Sequence, residues 1–120
     1  MKPYGIKDPF KNPTFLINEQ ICLQNIHRMA EKASANHLIF RPHFKTHQSV
    51  EVGEWFSRAG VTAITVSSVS MAQQFAAAGW LDITIAFPLN FSEINLLAGK
   101  IKLNVLVDMP EQLGCTRMAP

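Results

Sequence analysis

Two cysteines in 120 residues, Cys22 and Cys115, are too few for a disulfide scaffold. Neither has a Cys or His companion at ligand spacing. His43 and His47 lie four apart, but their segment reads as extended, which holds the rings apart; no metal site is expected within this chain. No run of about 18 apolar residues exists, so no membrane span is expected. The first twenty residues carry Lys2, Lys7, Asp8, Lys11 and Glu19 and lack the apolar centre of a secretory signal. A reducing, cytoplasmic compartment is the expectation. Neither sign of charge dominates: 11 Lys and Arg face 9 Asp and Glu, a net +2 that is scattered along the chain. That argues against a nucleic-acid partner. Apolar content is not low. At 48% hydrophobic and 17% charged residues, the composition is that of one globular domain or part of one.

The pattern along the chain is an alternation. Pro3, Pro9 and Pro13 make residues 1–13 an irregular lead-in. Thr14–Ile17 reads as a short strand. Asn18 caps a helix whose Cys22, Ile26, Met29 and Ala33 form one apolar face running to about Asn36. Leu38–Phe40 reads as a strand. Ser49 caps a helix with Val52, Trp55, Phe56 and Ala59 on one face, and Gly60 closes it. Val61–Val66 is the next strand. Ser70 caps a helix bearing Met71, Phe75 and Ala78, closed by Gly79. Ile83–Phe87, a short helix from Ser92 to Gly99, and Leu103–Val107 follow. The strand centres Ile39, Ile64, Ile85 and Val105 are 25, 21 and 20 residues apart. This cadence predicts parallel strands with right-handed crossovers. An open doubly wound sheet and part of a (β/α)8 barrel both fit it.

The chemistry concentrates in Arg41-Pro42-His43-Phe44-Lys45-Thr46-His47-Gln48-Ser49, between a strand and a helix. If extended, this segment places Arg41, His43, Lys45 and His47 on one face. Four basic groups together would be costly to bury unpaired, so they line a polar site or face water. A lysine among cationic neighbours has a lowered pKa and becomes an amine nucleophile for carbonyl carbon, including that of pyridoxal phosphate. A basic loop in water is the competing reading of the same spacing. Arg41 can serve the site or pair with a carboxylate. Ser67 and Ser68 can contact a ligand or cap the next helix. Asp108 can be a site carboxylate or a turn residue. His27 and His37 are expected in solvent, while Trp55, Phe56 and Trp80 are expected to pack.

Arg41-Pro42-His43-Phe44-Lys45-Thr46-His47 resembles the RPHxKTH signature of the D-threonine aldolase and D-serine dehydratase family, relatives of the alanine racemase N-terminal domain. Asn12–Asn18 is similar to that family's opening segment, Gly60–Val66 to its second barrel strand, Asp82–Pro88 to its DILLAYP strand and Leu103–Asp108 to its fourth. The resemblance therefore covers most of the chain. Departures are Gln48 where lysine is frequent, Met71-Ala72 where Glu-Ala is common, Phe87 for a frequent tyrosine, and Asn12 and Asn18 in the opening segment.

The resemblance implies an α/β fold, the N-terminal part of a pyridoxal-phosphate-binding (β/α)8 TIM barrel with about four of its strands. The 120 residues would then be the N-terminal portion of the barrel domain. The second half of the barrel and a β-rich domain would be absent, and the last seven residues, from Gly114, foreign to the original reading frame. The implied function is a pyridoxal 5′-phosphate-dependent lyase acting on small D-amino acids, a D-threonine aldolase or D-serine dehydratase, inactive as this portion alone. A cofactor-homeostasis protein or a racemase of the same barrel type is the alternative. Lys45 would form the Schiff base, with His43, His47 and Arg41 beside the cofactor. Ser67-Ser68, Pro88-Leu89-Asn90 and Asp108 would follow successive strands at the same end. A divalent metal is expected only in the full-length protein, which would be a homodimer.

Overall fold

The computed structural model describes residues 13–95, 97 and 99–116. Helix α1 (Glu19–Ala35) begins at Asn18, whose side-chain oxygen accepts the Ile21 N–H at 3.1 Å. A 3-10 turn (Phe44–Thr46) precedes α2 (Val50–Arg58). Then come β1 (Ala63–Val66), α3 (Val69–Ala77), β2 (Asp82–Pro88), α4 (Phe91–Ile94), β3 (Lys102–Leu106) and α5 (Gln112–Thr116). The strands form one parallel sheet in the order β1-β2-β3. Among the described residues no helix is long and apolar enough to cross a membrane.

Local chemistry explains most boundaries. Ser49 caps α2 by accepting the Val52 N–H at 3.2 Å. Gly60 and Gly79 end α2 and α3 with φ of +88° and +102°, values that a side chain resists. Of the serines that the sequence offered as caps for α3, Ser68 rather than Ser70 takes the place, because β1 ends at Val66 and leaves only two linking residues. Asn90, not Ser92, caps the third crossover helix, which is a single turn.

The apolar run at Leu38–Phe40 is not a strand. Its pairing reduces to an isolated parallel bridge between His43 and Thr65, with the Thr65 N–H on the Pro42 carbonyl at 2.8 Å. Leu38 and Ile39 are exposed, and Pro42 has no N–H to give to a ladder. Thr14–Ile17 is exposed and makes no strand either. Gly114, Cys115 and Thr116 continue α5, although no helical stripe marks them; residues 117–120 lie outside the described residues, as do 1–12 of the lead-in.

The two faces of the sheet differ. Ile64, Val66, Ile83 and Ile85 point toward the helices and pack with Phe44, Val69, Ala72, Phe75 and Trp80. Register puts Ala63 beside Asp82 and Lys102, and Thr65 beside Thr84 and Asn104. These alternate residues therefore share the opposite face. The burial of that many aliphatic and aromatic side chains, at roughly 1.5–3 kcal/mol each, holds the helices on one side only.

Candidate functional site

Phe44 organises the lysine-bearing segment. It is fully buried, with ring centroids of His47, Phe75, Phe56 and Trp80 at 4.6, 4.9, 5.1 and 5.2 Å. Sinking that ring into the core bends the chain into a 3-10 turn, with period three rather than two. The next residue, Lys45, stays exposed at the C-terminal end of the sheet. Among the described residues its side chain has neither a hydrogen bond nor an ion pair. The turn closes through the Gln48 N–H on the Phe44 carbonyl at 2.9 Å, with Gln48 at φ +51°.

This turn separates the four basic residues that an extended segment would align. His43 stays beside Lys45. Its Nδ1 accepts the Lys45 N–H at 3.2 Å, so the neutral ring carries its proton on Nε2. Burial, then the nearby Lys45 ammonium, lowers the His43 pKa, favouring that neutral ring at pH 7. His47 turns away. It stacks on Phe56 with 15° between the rings, and burial lowers its pKa. Its Nδ1 lies 3.2 Å from the Thr46 hydroxyl, while its buried Nε2 has no hydrogen-bond partner among the described residues.

Arg41 lies at the other end of the sheet. Its Nη1 is 2.6 Å from the Asp82 carboxylate, which also faces Lys102 at 3.6 Å and the Asn104 amide at 3.3 Å. Arg41, more than the other partners, holds the Asp82 carboxyl below the usual carboxylate range. Of the two roles open to Arg41, the structure shows the carboxylate pair.

The residues expected at the strand ends group only partly. A groove of about 340 Å³ brings Ser67 and Ser68 together with Pro88, Leu89 and Asn90, but Lys45 is not in its wall. Ser68 is a cap. At Asp108 the structure shows a turn: the buried Gln112 amide oxygen accepts the Asp108 and Met109 N–H groups at 2.8 and 3.3 Å. His27 and His37 are exposed, and Trp80 packs. No group of three or more His, Cys, Asp or Glu residues that could hold a metal occurs among the described residues.

Sequence reasoning missed the polar row on the open sheet face. Thr65, Thr84 and Asn104 share that face with His43, and Asp82 and Lys102 with Arg41. The signal was available as alternation: Ala-Ile-Thr-Val, Asp-Ile-Thr-Ile and Lys-Leu-Asn-Val each place a small or polar residue at every second position. The residues present fit the aldehyde end of pyridoxal phosphate. Lys45 offers an unpartnered primary amine at the sheet's C-terminal rim, and His43 Nε2–H offers a donor beside it.

No family model matches the chain. It is 40% identical over 74 residues to D-threo-3-hydroxyaspartate dehydratase of Delftia sp. (strain HT23), covering 62% of this chain and 20% of the relative. It is 28% identical over 114 residues to D-serine dehydratase of Schizosaccharomyces pombe, covering 88% and 28%. The chain thus spans between a fifth and a third of these relatives' length. Its fold matches D-threonine aldolase from Filomicrobium marinum with a TM-score of 0.80 at 21% identity, over 90% of this chain and 30% of that one. An alanine racemase-like protein from Idiomarina loihiensis matches with a TM-score of 0.72 at 23% identity, over 88% and 30%.

Proposed function

We propose that this chain, a homologue of D-threo-3-hydroxyaspartate dehydratase and D-serine dehydratase, binds pyridoxal 5′-phosphate through Lys45 as part of a lyase for small D-amino acids. In this reading residues 1–120 are the N-terminal portion of an alanine racemase-type barrel, and turnover requires barrel strands beyond them. The observation that carries it is the placement of Lys45. A buried aromatic fixes the residue before it, and the amine is left exposed and unpartnered at the end of a parallel sheet where barrel enzymes build their sites.

Each neighbour has a task. Lys45 would hold the cofactor at its aldehyde carbon through its exposed amine. His43, neutral and proton-bearing at Nε2, would offer a donor to the bound group without adding a cation. His47, stacked on Phe56 and bonded to the Thr46 hydroxyl, holds the turn in place. When bound, the cofactor supplies a ring that accepts the electrons of the bond broken in the substrate. Loss of a β-substituent would make a dehydratase, and cleavage of the α–β bond an aldolase; the dehydratase names of the two relatives favour the first.

Borohydride reduction of the chain with pyridoxal phosphate, followed by peptide mapping, tests the reading. The reduced adduct is expected on Lys45, and Lys45→Ala is expected to lose the bound-cofactor absorption band. A reproducible adduct on Lys100 or Lys102 with Lys45 unmodified would refute it.

A further inference from the structure

The segment that delivers Lys45 is weakly tied to the sheet. From Leu38 to Arg41 it has no strand pairing, and at His43 only the isolated bridge to Thr65. Such a segment can slip. Alternation alone would permit a slip of two residues, which keeps every face, although it would draw the buried Phe44 ring out of its place among four rings. At about 3.3 Å per residue it would carry Lys45 roughly 6–7 Å along the sheet.

Phe44 resists that slip at the turn, and a polar contact resists it at the upstream end of the segment. His43 pairs with Thr65, so Arg41 stands level with Ala63, and Ala63 is paired with Asp82. Adjacent strands lie about 4.8 Å apart, so the Arg41–Asp82 bond spans roughly 9.6 Å of sheet. A long side chain can cross it because the residue between is alanine, itself only 1% exposed. The far end is fixed too. Asp82 is the first residue of β2, and Lys102 and Asn104 of β3 hold its carboxylate from the other side. The side chains of Arg41 and Asp82 are each 23% exposed, so water screens this pair less than a surface bridge.

We infer that Arg41 and Asp82 form a register lock: they fix the lysine-bearing segment lengthwise against β1 and β2, and so are positioning residues for Lys45. The inference deepens the cofactor reading and rests on it for its meaning, but the lock itself can be tested without cofactor. Arg41 acts some four residues away from the amine it places. Lys102 and Asn104 are the second tier, orienting Asp82. Phe44 anchors the turn in the core, and the lock adds a second hold along the strands upstream of it.

The experiment is amide hydrogen exchange on the full chain, comparing wild type with Asp82→Ala and Arg41→Gln. The reporter is the Thr65 N–H, bonded to the Pro42 carbonyl; the reference is the Leu89 N–H just past β2, bonded to the Leu106 carbonyl at the end of β3. Both variants are expected to accelerate Thr65 exchange tenfold or more relative to Leu89. Asp82→Asn, which keeps the shape, serves if Asp82→Ala does not fold. A second reading is borohydride-trapped incorporation of pyridoxal phosphate at Lys45, expected to fall at least fivefold in the variants. Unchanged Thr65 exchange, or equal acceleration at Thr65 and Leu89, would overturn the lock, since the pair would then contribute nothing or only general stability. Selective acceleration at Thr65 in a chain whose wild type takes up no cofactor would uphold the lock and defeat the cofactor reading.

Discussion

Replacing Gly53 with alanine separates a local helix preference from a tertiary conflict. Gly53 is buried in the middle of α2. A Cβ there would lie 3.1 Å from Phe44 Cε2, 3.5 Å from Phe75 Cε1 and 3.7 Å from Trp80 Nε1. Carbon atoms prefer about 3.5–4.0 Å, so the Phe44 ring must retreat by a few tenths of an ångström. It has nowhere to go, since four rings surround it and it is 0% exposed. Alanine favours the helix by about 1 kcal/mol. Overpacking a filled core costs about 1–3 kcal/mol, and the closed surroundings put this case in the upper part of that range. The expected net loss is about 1 kcal/mol, or roughly 4 °C in the melting midpoint. Gly114→Ala is the control. It lies in α5 with nothing among the described residues within 4 Å of an added Cβ, so the same change should raise stability by about 0.5–1 kcal/mol. Thermal melts of both variants decide the matter. If Gly53→Ala raises the midpoint as Gly114→Ala does, Phe44 is not wedged, and the account of how the lysine turn is held fails. A Phe44→Leu background should reduce the loss, giving a non-additive cycle.

Acidification should destabilise the fold in two steps. His43 and His47 have folded pKa values below 6.5, so the unfolded chain binds more protons between those values and 6.5. Their contribution is complete above 6.5 and lost as pH falls through that window; a double His43→Gln, His47→Gln variant should flatten the melting midpoint between pH 7 and 5. Asp82, depressed below 3.8, contributes above that value and loses its contribution as pH falls through its folded pKa, so Asp82→Asn should remove the lower step. His47→Phe should stabilise the chain by about 1 kcal/mol in a denaturant titration, because it replaces a buried nitrogen lacking a partner among the described residues with an apolar ring. Loss of stability of that size instead would mean the Thr46 contact outweighs the orphaned nitrogen.

What could be read from the sequence depended on whether the signal was local. Asn18, Ser49, Gly60 and Gly79 act within a few residues of themselves, and each does what its type and place imply. The parallel order followed from the spacing of the apolar runs. Leu38–Phe40 misled because an apolar run shows what could be buried, not whether a neighbour arrives to bury it. The turn at Lys45 was misjudged for a related reason. Alternation was applied across Phe44, and the burial of that ring overrides the extended geometry on which alternation depends. Nothing local singles out Asp82, since its partners lie 41, 20 and 22 residues away in sequence.

The two unlike faces of the sheet divide labour along a single strand. Ile64 and Ile83 sit in the core, while Thr65 and Thr84, their immediate neighbours in sequence, stand on the opposite side. Substitutions at odd and even positions therefore fall on separate physical problems, one of packing volume and one of hydrogen bonding and charge. A lineage could exchange Thr65, Thr84 or Asn104 to suit a new ligand without disturbing the helices behind, and could repack those helices without retuning the open face. Such a strand can drift in two directions at once, with each face screened from the other by the backbone between them.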